Sequence, residues 1–163
     1  SLDIDESYPE GLSPEDTVRY IAKKKCDAAA ALCAPDDLII TADTMVFLDN
    51  DRLGKPRDEE DALRMLRELA GRGHTVCTGV SVRRGAQEER FAVSTRVFFR
   101  PMTDDEIRAY IKTGEPMDKA GAYGVQSRGA LFVERIDGDF FNVMGLPVEQ
   151  LGLVLARFGV KLL

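Results

Sequence analysis

Leu38-Ile39-Ile40-Thr41-Ala42-Asp43-Thr44-Met45-Val46-Phe47-Leu48 is the stretch that decides the fold. Its β-branched, apolar opening reads as a short buried strand over Leu38 to Ala42. Asp43 and Thr44 follow directly, at the strand end where open α/β sheets hold their ligands. Met45 to Leu48 then continues as strand. Upstream, Ser13 reads as a helix N-cap, with Pro14 at the first helical position and Glu15 and Asp16 in the first turn. Val18, Ile21, Ala22, Ala29 and Leu32 keep helical spacing inward to about Ala34, and Pro35 ends the helix. Ser1 to Gly11 is acidic and irregular, with Asp3, Asp5, Glu6 and Glu10.

Downstream, Asp49-Asn50-Asp51 is a turn and Gly54-Lys55-Pro56 a loop. Asp58 caps a second helix with Ala62, Met65, Leu66 and Leu69 on one face, ended by Gly71 and Gly73. Strands over Thr75 to Val82 and Arg90 to Phe99 join around Gly85. The alternation of Phe91, Val93, Thr95, Val97 and Phe99 predicts an antiparallel pair with one covered face. Thr103 caps a third helix with Ile107, Tyr110 and Ile111 inward. Gly114 to Gly129 is long, glycine-rich and without periodicity, the kind of loop that carries function. Ala130 to Ile136 and Phe140 to Met144 read as a hairpin over Asp137-Gly138. A last helix begins near Pro147, with Val148, Leu151, Leu155 and Phe158. The sum is one mixed α/β domain without repeats or linkers.

Bulk properties agree with a single globular domain: 163 residues, 44% of them hydrophobic. The formal net charge of −6 argues against a duplex-binding surface, although a few placed cations still suit a small anionic substrate. No apolar run is long enough to cross a bilayer and no signal peptide is visible, so the expected compartment is cytoplasmic, without nucleic-acid or membrane partners. Cys26, Cys33 and Cys77 form no CxxC pair and read as buried free thiols in a reducing cytosol, with Cys26 and Cys33 on one helix face.

Four places carry candidate chemistry. Asp43 is either a carboxylate for a divalent metal or a water proton, or a turn-forming residue at a strand end. Lys55, between Gly54 and Pro56, is either a phosphate contact or a solvated lysine. In Asp118-Lys119-Ala120-Gly121-Ala122-Tyr123-Gly124-Val125-Gln126, the glycines allow close backbone approach to a ligand. Lys119 supplies charge there, and Gln126 offers a donor and an acceptor to a base edge. Asp5 and Glu6 either complete a metal site with Asp43 or form a solvated acidic terminus. His74, the only histidine, reads as structural. There is no zinc motif, no Cys–His dyad, no Walker A loop and no GxGxxG fingerprint.

Taken in order, Ala42-Asp43-Thr44, Leu53-Gly54-Lys55-Pro56, Leu69-Ala70-Gly71-Arg72, the run from Asp118 to Gln126, and Val143-Met144-Gly145-Leu146-Pro147 resemble the Maf family from near Asp3 to about Phe158. The resemblance implies an α/β fold like that of inosine triphosphate pyrophosphatases: a mixed, elongated β-sheet flanked by helices, with two lobes and a central cleft. It implies hydrolysis of a nucleoside triphosphate between the α and β phosphates, by water, with Mg²⁺ or Mn²⁺. Asp43 matches the family's proton acceptor. Thr44 and Gln126 match positions tied to substrate choice, and Lys55, Lys119 and Glu6 match phosphate- and metal-side residues, so Asp43 and Glu6 are the expected metal ligands. The Ala-Asp-Thr and Ala-Tyr-Gly-x-Gln pattern resembles the subgroup that acts on dTTP and UTP, not the Ser-Asp-Gln subgroup that prefers 7-methyl-GTP or CTP.

The family pattern also begins with a strand, a Ser-x-Ser-Pro-Arg-Arg phosphate loop and a helix, about 25 to 30 residues that nothing here matches. The expected domain is therefore one Maf-like unit over 1–163 lacking that segment. Rival readings are a weakly or non-catalytic nucleotide-binding regulator of septum formation, a pyrophosphatase for inosine or xanthosine triphosphates, and a nucleic-acid binder, which the acidic balance disfavours. Monomer and homodimer both remain open.

Overall fold

Residues 4–163 are described by the computed structural model; Ser1 to Asp3, and with them the Asp3 of the acidic stretch, lie outside the described residues. Ser13 caps α1 (Pro14–Ala30), its hydroxyl accepting from the Asp16 amide. The helix stops short of Ala34. Beyond Cys26 none of its side chains is buried, and Leu32 is 77% exposed, so no packing face rewards further turns. Cys33 is therefore exposed while Cys26 and Cys77 are buried, and Cys26 and Cys33 share no covered helix face.

Strand β1 (Ile39–Leu48) is longer than its apolar opening suggests. It runs straight through Asp43 and Thr44 because both pair with β3 (Gly73–Arg84), Asp43 opposite Gly79 and Thr44 opposite Thr78. Asp43 is thus mid-strand, not at a strand end. A left-handed turn at Asp49 and Asn50 leads into β2 (Asp51–Leu53), a hairpin partner for Val46 to Leu48. Asp58 caps α2 (Glu59–Leu69), and β3 continues into β4 (Gln87–Phe99). Thr103 closes a full capping box on α3 (Asp104–Ile111).

The expected second hairpin does not form. β5 (Val133–Asp137) pairs with β4 across a register shift at Phe98/Phe99, and Phe140–Met144 is a short helix, α4. Asp139 caps α4 by accepting from the Phe141 amide at 2.8 Å, and Gly145 at φ 122° ends it. A five-residue apolar run has no periodicity that separates strand from helix, so capping chemistry decides. The last helix is α5 (Val148–Arg157). Gly114 to Gly129 forms a chain of short 3₁₀ turns.

The sheet order is β2-β1-β3-β4-β5, with every pairing among the described residues antiparallel. Helices flank this sheet as expected for the α/β class, but its strands do not mix directions. Side chains alternate across it. Met45, Phe47 and Cys77 meet Val18 and Ile21 of α1 on one face. Val46, Leu48, Val76, Val97 and Phe99 meet α2 and α3 on the other, while Val80 and Val82 meet α5. The predicted inward row of β4 is the row that faces these helices.

Gly79 sets how closely α1 lies on the sheet: a Cβ there would fall 2.3 Å from the carbonyl carbon and oxygen of Val18 and 2.6 Å from the Arg19 nitrogen. Pairing on the β2 side of β1 stops at Val46. Among the described residues the backbone of 39–45 is therefore open along that edge.

Candidate functional site

Because β1 alternates, Asp43 and Thr44 face opposite sides of the sheet. Thr44 opens onto a cavity of about 230 Å³ whose walls are β1, β3, the loop through Lys119 to Gln126 and the end of α4. Lys55, Lys119 and Gln126 line the same cavity. Four of the expected substrate-side residues are thus brought together from segments far apart in the chain. The volume lies below the about 300–1,000 Å³ of pockets for drug-sized ligands.

The loop wall is firmly built. The Gly121 amide donates to the Gly54 carbonyl at 3.1 Å, which joins the two lysine-bearing segments. Gly121 has φ 70° and lies against Val46, where a Cβ would come within 3.0 Å of both methyl groups. Ala122 follows at φ 61°, an uncommon conformation for a residue with a Cβ. The Glu115 carboxylate accepts from Tyr110 Oη and Ser127 Oγ, each at 2.7 Å, and from the amides of Gly129 at 3.1 Å and Arg128 at 3.2 Å. Burial opposes its charge, but these four bonds hold its pKa down to about 2. The Lys119 ammonium rests on Asp118, an exposed partner, at 2.7 Å, a contact of little net worth at the surface.

His74 lies beneath this wall. It is 1% exposed, edge-on to Phe99 and Tyr123, and its Nε2 is 2.8 Å from Tyr123 Oη. Burial, with the Arg96 charge, lowers its pKa to about 4 from 6.5. A folded-state value below the unfolded one means that the unfolded chain binds the extra proton between those two pH values. Stability is therefore full above about pH 6.5 and falls as the pH drops toward 4, by up to about 3 kcal/mol. Urea titrations at pH 7 and pH 4.5 should show a His74→Gln variant losing less stability on acidification than the parent. Equal losses would place the acid sensitivity elsewhere.

On the other face, Asp43 is 9% exposed and meets Lys25 of α1, Oδ1 to Nζ, at 2.6 Å. Lys25 Nζ also reaches Glu6 at 3.2 Å. Burial pushes the Asp43 carboxyl above the ordinary carboxylate range, more than Lys25 draws it down. Burial also works against the Lys25 charge, but the bonds and charges of Asp43 and Glu6 leave its pKa raised. Asp43 Oδ2 is buried without a hydrogen-bond partner. Asp5 stands apart, accepting from Ser7 and lying 3.4 Å from Lys24.

Sequence reasoning missed Lys25, which sits in a run of three lysines. The signal was present: residue 25 follows 18, 21 and 22 at helical spacing, so it belongs to the face that packs on the sheet.

Among the described residues no cluster of three or more His, Cys, Asp or Glu side chains converges on one point. Two carboxylates are nevertheless a sufficient protein share for Mg²⁺, which takes the rest of its shell from water and substrate phosphates. The unpartnered Asp43 oxygen beside Glu6 fits that donor set.

The family described as "Maf-like protein" matches residues 1–158. A Bacillus velezensis protein named dTTP/UTP pyrophosphatase is 48% identical over 157 residues, 96% of this chain and 82% of the relative. Relatives with the same name from a Geobacillus species, 48% identical over 96% of this chain and 83% of theirs, and from Pelotomaculum thermopropionicum, 46% identical over 98% and 84%, are similar along the same length.

Proposed function

The chain belongs to the Maf-like family, and from that premise we propose that it hydrolyses dTTP and UTP to the nucleoside monophosphate and pyrophosphate. The observation that carries this reading is the pairing, along one strand, of Thr44 in a base-sized cavity with Asp43 in a buried acid–lysine cluster. The base sits against Thr44 and Gln126. The phosphates leave past Lys55 and Lys119 toward Asp43, Lys25 and Glu6.

In this arrangement Asp43 takes the proton of the attacking water. Lys25, Lys55 and Lys119 offset charge on the α phosphate and on the departing pyrophosphate. Asp43 and Glu6 would hold a divalent metal, Mg²⁺ or Mn²⁺, which supplies electrostatic stabilisation of the phosphoryl oxygens. No helix among the described residues is long and apolar enough to cross a membrane.

Pyrophosphate release from a panel of nucleoside triphosphates, with Mg²⁺ and with Mn²⁺, tests the proposal. Fast release from dTTP and UTP, and slow release from purine nucleotides, is the expected result. Nucleotide binding without any release would sink it in favour of a regulatory role.

A further inference from the structure

A buried polar chain runs from the Thr44 hydroxyl into the protein. Thr44 Oγ1 is 2.8 Å from Thr78 Oγ1, and 3.4 Å from the carbonyl oxygen of Gly145, to which it can donate. Thr78 donates to the Asn142 carbonyl at 3.2 Å. The Asn142 amide group in turn donates to the Val76 carbonyl at 3.2 Å and to Thr95 Oγ1 at 2.9 Å, which fixes α4 on the sheet. Thr78 and Asn142 are fully buried and Thr95 is 1% exposed.

Each hydroxyl has one proton. With the Thr78 proton on Asn142, the short Thr44–Thr78 contact needs the Thr44 proton, since two lone pairs do not face each other at 2.8 Å. With the Thr78 proton on Thr44, the Thr44 proton has the Gly145 carbonyl to meet. Both arrangements direct the proton inward and leave lone pairs toward the cavity, the second only through the long 3.4 Å contact. Turning it outward gives up both carbonyl contacts.

We propose that Thr78 is a specificity-determining positioning residue: it holds the Thr44 hydroxyl as an acceptor toward the cavity, so that the site selects a base with an imide N–H over one with a ring-nitrogen acceptor. Uracil and thymine carry that N–H at N3. Cytosine presents a lone pair at the same atom and meets another lone pair. This rests on the pyrimidine triphosphate reading above and adds to it the source of the discrimination.

Thr78→Val keeps the shape and removes the short inward partner, which leaves only the 3.4 Å contact with the Gly145 carbonyl to hold the Thr44 proton back from the ligand. In the full-length protein the ratio of kcat/KM for UTP over CTP should fall at least about 10-fold, chiefly through a gain with CTP. Thr78→Ser, which restores the hydroxyl, should return the ratio to the parent value. A Thr78→Val protein that loses activity on both nucleotides in equal proportion would mark Thr78 as merely structural and overturn the inference, with the pyrimidine activity still standing. A parent protein that turns over CTP as well as UTP would also overturn it. A parent that is silent on every triphosphate would remove the proposed function itself.

Discussion

Asp43→Asn is expected to lower UTP turnover by about 10²- to 10⁴-fold, the usual contribution of a positioned base. The substitution preserves shape and hydrogen-bond reach toward Lys25 but cannot accept the water proton. It should leave the fold intact, because Lys25 keeps the Glu6 carboxylate at 3.2 Å and the amide oxygen can still accept from its ammonium. Steady-state pyrophosphate release, measured beside a thermal melt, separates the two effects. Wild-type turnover in a well-folded Asp43→Asn protein would remove Asp43 from the chemistry.

Gly79→Val should cost about 4 kcal/mol or more, near the upper limit for a single substitution. The neighbours of a Cβ at this position are backbone atoms of α1 at 2.3 Å, which cannot rotate away as a flexible side chain would. The helix has to lift from the sheet. A chain of this size should lose about 8 to 16 °C in melting temperature. Because Gly79 is the strand partner of Asp43, the same displacement carries Lys25 away from the carboxylate. A variant that melts like the parent would show that α1 has room to shift without cost.

Local chemistry made much of this fold legible in advance. Ser13, Asp58 and Thr103 each announce a helix through a side chain that accepts an amide bond a few residues on, and each does so in the structure. The β4 alternation named its covered face. What escaped was decided at a distance. Asp43 is mid-strand because β3 pairs across it, and no neighbour in sequence carries that information. Phe140 to Met144 turned on the cap at Asp139, which lies just after the expected Asp137-Gly138 turn.

The candidate site divides in the same way. Thr44, Lys55, Lys119 and Gln126 were legible from residue type and resemblance, and the fold gathers them around one cavity. The separation of Asp43 from Thr44 by the sheet follows from strand period, yet it was hidden while the two were read as a strand-end pair. Thr78 and Asn142 gave no sequence signal at all, since a threonine in a strand and an asparagine in an apolar run acquire their meaning only from long-range contact.

The Glu115 carboxylate ties down the stretch from Tyr110 to Gly129 before any nucleotide arrives. Fixing a free backbone costs about 1–2 kcal/mol per residue, and here that entropy is already lost when the chain folds. Capture of a ligand then resembles the docking of two rigid bodies. On the proposed reading, association should then be set by diffusion and by the pull of Lys55 and Lys119 on the phosphates more than by ordering of this wall.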